Sequence, residues 1–191
     1  MLIPAFHRLE AEAAVIGRIM SGFGELELSL GYCVYKAVGR SRDDVLMEIF
    51  NIRNARHRIN HAEGMARKQI LELQIDREFT RTVQQVRACL GIRNDYSHCH
   101  WADQRACLYY TKLEEAAKTN GFQLKWRQVD LNLLSRQEVF CMNTREWLLY
   151  LEYEIEYRLD SRKQNVVPRP DVIKLPPSFI GIELDALPRS W

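Results

Sequence analysis

Apolar side chains recur at Leu9, Ala13, Ile16, Met20, Phe23, Leu30, Val34 and Ala37 in steps mostly of three and four, the repeat of one helix face. Pro4 suits the first helical turn, and Gly17, Gly22 and Gly24 place a bend or break near residues 21–24. A second stripe runs Val45, Ile49, Ile52, Ile59, Ala66, Ile70 and Leu73. It follows Ser41 and Asp44, spaced as a capping box, and predicts one helix of roughly 30 residues, about 45 Å long. Asp76 is placed to cap a third helix with Phe79, Val83, Val86 and Leu90 as its stripe. The next position in that series is Arg93.

From Ala102 to Val129 the pattern changes. "ACLYYTKL" and "FQLKWRQV" are rich in Tyr, Trp and Val, and "KTNG" between them is a turn signal, so a short hairpin is expected. "SRQE" at 135–138 reads as a second capping box, opening a fourth helix through Val139, Phe140, Trp147, Leu148, Leu151, Ile155 and Leu159. Beyond Arg162 the segment "VVPRPDVIKLPPSFIGIELDALPRSW" holds five prolines and is expected to be extended, lying over the body or hanging free. The expected fold class is therefore all-α: a helical bundle of about four long helices, with a small β-hairpin-like insertion before the last and a Pro-rich tail. The expected division is a helical domain over 1–162 and a tail over 163–191.

Composition adds little to this and excludes some classes. With 47% hydrophobic and 27% charged residues and a net charge of +2, the chain reads as an ordinary globule whose overall charge does not call for nucleic acid. Of the 27 basic residues, 20 are Arg, whose planar fork suits phosphate and carboxylate. Five cysteines, an odd number and with no C-x-x-C, argue against a disulfide framework or zinc knuckle and for a reducing compartment. The first 20 residues lack a basic n-region and a small-residue cleavage site, and no run of about 18 uncharged apolar residues occurs. A cytoplasmic soluble protein is expected. No P-loop, G-x-G-x-x-G, H-E-x-x-H or G-x-S-x-G motif is present.

The concentrated chemistry is "GIRNDYSHCHW", residues 91–101. Arg93 falls where the third stripe predicts a buried or groove-facing residue, and a guanidinium there needs a partner. Asn94 and His98 are four apart and share a face if the helix continues, whereas Arg93 and His98 would point about 140° apart on a straight helix. A bend after Tyr96, the reach of Arg93, or a second subunit would bring them to one phosphate. That set suits metal-free phosphodiester cleavage. Arg neutralises the phosphate and the charge developing in the transition state; His moves a proton to or from the ribose 2′-OH or the leaving oxygen; Asn orients either group. A rival spacing occurs at "RHRINH", Arg56 to His61.

"RNDYSHCHW" resembles the R-N-x-x-x-H signature of the HEPN superfamily, small all-helical domains that include many ribonucleases of prokaryotic defence and toxin systems. "FGELELSL" (Phe23 to Leu30) resembles that family's first-helix pattern of Gly followed by Glu, here Glu27 or Glu25, and the likeness covers about residues 20–160. The resemblance implies Arg93 and His98 as catalytic and Asn94 as a supporting polar residue, with Glu27, Asp95 and Tyr96 around them. It also implies a homodimer in which two motifs face each other across a cleft, RNA as substrate, and an antitoxin as a further partner. No cofactor or metal is expected. Ser97 and Cys99 depart from the small residues usual beside the histidine.

Several plainer alternatives stand beside this. Arg93 would pair with an acid such as Glu27 in a catalytically silent module that binds RNA, a nucleotide or a protein. Arg53, Arg56, Arg58 and His61 would form an RNA-facing surface, or a merely solvated helix face. His98, Cys99 and His100 lack the further well-spaced ligands a metal site needs. Trp101, Tyr109, Tyr110, Trp126 and Trp147 would stack bases or fill the core.

Overall fold

The computed structural model describes residues 3–185 and is 63% helical. Among the described residues there are seven helices: α1 (Pro4–Arg8), α2 (Glu10–Val38), α3 (Arg42–Phe50), α4 (Ala55–Glu72), α5 (Asp76–Ser97), α6 (Leu113–Ala116) and α7 (Leu131–Arg158). A small antiparallel sheet of β1 (His100–Gln104), β2 (Cys107–Thr111), β3 (Trp126–Val129) and β4 (Glu183–Leu184) has the order β1-β2-β3-β4. The described residues divide into two compact units, one of residues 3–21, 91–139 and 175–185, the other of residues 22–90 and 140–174.

In the first unit, β1 and β2 form a tight hairpin in which Gln104 pairs with Cys107. The two loop residues, Arg105 and Ala106, both take left-handed backbone angles, φ 50° and 59°. A two-residue loop with both φ positive matches the twist of the flanking strands. β2 pairs β3 through Leu108–Val129, Tyr109–Gln128 and Tyr110–Arg127, and β3 pairs β4 through Trp126–Leu184. Residues 178–184 are thereby tied down: Gln128 exchanges backbone hydrogen bonds with Ile182 and Ile180 (3.0 and 3.1 Å), and the Tyr110 hydroxyl donates to the Ser178 carbonyl (3.3 Å). The unit's core is Val15, Ile16 and Ile19 of α2, Ile92 and Tyr96 of α5, Leu108 and Tyr110 of β2, and Leu133 and Leu134 of α7.

In the second unit, Leu26, Leu30 and Val34 of α2, Val45 and Ile49 of α3, Ile59, Ala66 and Ile70 of α4, Phe79, Val83 and Val86 of α5, and Trp147, Leu151 and Ile155 of α7 are buried. Tail residues also pack here. The Asp171 carbonyl accepts from Asn143 Nδ2 and Trp147 Nε1, both at 3.1 Å, and Arg169 pairs with Glu78 (2.7 Å).

Four expectations need correction. The first helix does not break near residues 21–24 but at Leu9, between α1 and α2. The glycines cost about 1 kcal/mol each in a helix, and burial of Ile16, Ile19, Phe23 and Leu26 around them outweighs that. The second helix is two, parted at residues 51–54. Asn54 caps α4 by accepting from the His57 amide (3.1 Å), a local bond that competes with helix continuation. The last helix begins at Leu131 rather than Ser135, because the Asp130 carboxylate takes the Leu133 amide (2.7 Å) one turn earlier. The two expected strands do pair as β2 and β3, but with α6 between them, and the tight turn is Arg105–Ala106 rather than "KTNG". Ser41 caps α3 as its spacing predicted, accepting from Asp44 (3.2 Å).

Among the described residues no helix is long and apolar enough to cross a membrane.

Candidate active site

The motif occupies the last turn of α5. Arg93 is half-buried, and its Nη1 donates to Asn94 Oδ1 at 3.0 Å; among the described residues no carboxylate binds its guanidinium. Asn94 is exposed. α5 ends at Ser97, so His98 stands outside the helix, in the link to β1, exposed and with no hydrogen-bond partner among the described residues. Helix termination therefore releases His98 from the azimuth a straight helix would impose.

Its neighbours hold this end of α5 in place. The Tyr96 side chain is buried, and its hydroxyl donates to Gln137 Oε1 at 2.5 Å. Gln137, fully buried on α7, in turn donates from Nε2 to the Pro177 carbonyl at 2.7 Å. The Tyr96 ring lies 5.4 Å from Trp101 and 5.7 Å from Tyr110, and Trp101 meets Phe6 at 5.2 Å, so the first aromatic after the motif packs in a ring cluster. Burial pushes the Tyr96 phenol well above the usual tyrosine range. Asp95 accepts from Lys112 (2.5 Å), which also reaches Glu115 (3.4 Å). Burial pulls the Lys112 ammonium down, but its bond to Asp95 and the two carboxylate charges outweigh that, and the net shift is upward. Cys99 caps the turn by donating to the Tyr96 carbonyl (3.4 Å), and burial pushes its thiol up to about 12. A thiol so shifted stays protonated at neutral pH and is a poor nucleophile.

The second unit holds the basic stretch. Arg58, expected on an RNA-facing surface, is held within the unit. Its Nε and Nη2 grip Glu27 Oε1 and Oε2, each at 2.8 Å, and its Nη1 donates to the carbonyls of Ile52 and Arg53 (2.9 and 3.0 Å). Arg58 is a clamp joining α4, α2 and the gap before α4, and both oxygens of Glu27 are occupied by it. His61 is bound to Glu48 (2.9 Å), which Arg40 also holds (2.8 Å), drawing the Glu48 carboxyl below its usual range. Arg53 and Arg56 are exposed, with no side-chain partner among the described residues. They flank the N-terminus of α4, whose first turn contains no acid, and the helix dipole there adds to their positive potential.

No family model, curated protein or solved structure matches the chain.

The remaining candidates have plain positions. Among the described residues no group of three His, Cys, Asp or Glu is arranged to hold a metal ion. Tyr109, Tyr110 and Trp147 are core residues, and Arg81 stacks on the Trp147 ring with its guanidinium carbon 3.9 Å from the centroid. Sequence reasoning missed Lys112 and Gln137 as the residues that hold Asp95 and Tyr96. Gln137 had a legible sign, since it stands three residues after Leu134 and three before Phe140 on the buried stripe of α7. Lys112 had none.

Proposed function

We propose that the chain is a HEPN-type, metal-independent endoribonuclease acting as a homodimer. The observation that carries this reading is at the end of α5: among the described residues Arg93 is bound only to the neutral amide of Asn94, and His98, just beyond the helix, is exposed and without a partner. A guanidinium free of carboxylates and an exposed imidazole are two groups with which phosphodiester cleavage can proceed at neutral pH without a metal.

In this reading the ribose 2′-oxygen attacks the adjacent phosphorus and the P–O5′ bond breaks. A His98 imidazole takes the 2′-OH proton or delivers one to the departing 5′-oxygen, and a twofold dimer supplies a histidine for each task. Arg93 carries the charge on the phosphorane, and Asn94 orients it. Products are 2′,3′-cyclic phosphate and 5′-OH ends. Asp95 and Tyr96 position the motif, and Arg53 and Arg56 at the start of α4 attract the RNA strand. A cytoplasmic toxin or defence effector, restrained by an antitoxin and built as a helical bundle, is the setting this implies.

The test is incubation of purified wild type and His98→Ala with total cellular RNA in EDTA, mapping end chemistry by sequencing. Cleavage by wild type alone, leaving cyclic-phosphate ends, supports the proposal; 3′-OH and 5′-phosphate ends, or abolition by EDTA, defeat it. The unpartnered Arg53 and Arg56 favour one other reading, a catalytically silent RNA-binding module. It predicts no cleavage, binding untouched by His98→Ala, and binding weakened by Arg53→Ala with Arg56→Ala.

A further inference from the structure

Within the second unit two thiols on different helices lie at one seam. Cys89 of α5 is buried, with its sulfur 3.5 Å from Thr144 Oγ1 of α7 and in hydrogen-bond contact with the thiol of Cys141. Cys141, one turn before Arg145 on α7, is half-exposed. The Thr144 hydroxyl donates onward to the Phe140 carbonyl (2.9 Å), so this thiol–hydroxyl chain is anchored to the α7 backbone. Of the other three cysteines, Cys33 donates to the Leu148 carbonyl and Cys99 to the Tyr96 carbonyl.

We propose that Cys89 and Cys141 are a peroxide-oxidisable pair that forms a reversible disulfide between α5 and α7. This stands independently of the ribonuclease reading. The two cysteines have distinct parts. Cys89 is enclosed and hydrogen-bonded, with its thiol held far above the usual range by the bond to Cys141 and by burial, so it does not react first. Cys141 reaches solvent, and Arg145, four residues on and exposed, has no ion-pair partner among the described residues. A cation on the same helix face favours the thiolate that peroxide attacks. Hydrogen peroxide oxidises Cys141 to a sulfenic acid with release of one water. The Cys89 thiol then displaces hydroxide from that sulfur, its proton leaving in a second water, and the S–S bond forms. Net, one peroxide is reduced to two waters and two thiols are oxidised. The Cys89 sulfur meets Thr144 Oγ1, and Cys141 stands one turn before Thr144 on α7, so both thiols face the same seam between α5 and α7, where a disulfide of bond length about 2.05 Å would form. Transient, sensing disulfides of this kind are the sort found where thiols are otherwise kept reduced.

The experiment treats the full chain with hydrogen peroxide, blocks remaining thiols, and digests with trypsin without reduction. The expected product is peptide Ala88–Arg93 linked to Gln137–Arg145, lighter than the pair by two hydrogen atoms and released by dithiothreitol. In Cys89→Ser the link disappears, and Cys141 instead yields a dimedone-trapped sulfenic acid; Cys141→Ser gives neither. A dominant link involving Cys33, Cys99 or Cys107, a disulfide between two chains, or Cys141 passing to sulfinic acid in the wild type without any link would each overturn the proposal. Because the decisive digest uses the wild-type chain, a variant that fails to fold does not spare it.

Discussion

Arg58 and Glu27 meet fork to fork, Nε and Nη2 against the two carboxylate oxygens at 2.8 Å each, 31 positions apart in the chain. The pair is mostly buried, with side-chain exposures of 18% and 9%, and the remaining Arg58 nitrogen satisfies the carbonyls left open where α3 ends. Removing the guanidinium strands a buried carboxylate and two carbonyls. Arg58→Ala should lower stability by about 2–3 kcal/mol, the usual cost of breaking a buried pair reduced for the residual exposure of Arg58. Arg53→Ala and Arg56→Ala, at exposed positions, should each stay within about 0.5 kcal/mol of wild type. Urea unfolding of the three variants checks this; an Arg58→Ala protein as stable as Arg53→Ala would show the clamp to be inert.

Gln137 joins the end of α5 to the tail. Its carbonyl oxygen holds the Tyr96 hydroxyl and its amide holds the Pro177 carbonyl. Gln137→Leu fits the volume but leaves the buried Tyr96 hydroxyl unmet, at about 1–3 kcal/mol, and releases the carbonyl of Pro177, an exposed residue, to water. Tyr96→Phe removes a single hydroxyl and should cost nearer 1 kcal/mol. Hydrogen exchange should rise in Gln137→Leu both near Tyr96 and at the Ile180 amide, which bonds Gln128. Faster exchange at one site alone would mean that the two ends are not coupled through Gln137.

The hairpin turn carries residues ill-suited to it. Arg105 and Ala106 sit at φ 50° and 59°, where a side chain beyond Asn or Gly costs on the order of 1 kcal/mol per position. Replacing Arg105→Asn together with Ala106→Gly should therefore raise the thermal midpoint, by about 1–2 kcal/mol of stability. Calorimetry reads this directly; a lowered midpoint would show that the turn is not of the predicted type.

Two carboxylates four residues apart on α7 should respond to pH in opposite senses. Glu156 is held below its usual range, chiefly by its hydrogen bond from Lys36 and also by Arg162. Glu152 is pushed up, chiefly by burial, against the pull of Lys36. A carboxylate lowered in the folded state stabilises above its unfolded value, near 4.3, and loses that contribution as pH falls through its folded value. Glu156→Gln should thus destabilise at pH 7 and have no effect in strong acid. Glu152→Gln should stabilise at pH 7, by less than about 1 kcal/mol, and this gain should vanish below about pH 4, where both states are protonated. Unfolding curves at the two pH values decide it.

What was legible in the sequence was what repeats locally. The 3.6-residue period located α2, α5 and most of α7, because a buried helix face must return every three or four positions whatever it packs against. Ser41 as a cap, and the placing of Arg93 and Asn94 in the last turn of a long helix with His98 beside it, follow from the same short-range rules. Where a local signal yields to its surroundings was not legible. Ser135 reads as the helix start, yet Asp130 caps α7 immediately after β3 ends at Val129. The glycines near residue 22 read as a break, and burial on the opposite face overrode them.

Pairings between distant residues were decided by the tertiary structure alone. Glu27 with Arg58, Gln137 with Pro177, Cys89 with Cys141 and the two-residue strand β4 on β3 leave no pattern in the sequence around either partner. An ion pair or a hydrogen bond depends on separation in space, and the stripe that buries a residue does not say which atom of another helix will meet it. This is why Arg58 reads as a surface cation in sequence and proves to be an internal clamp.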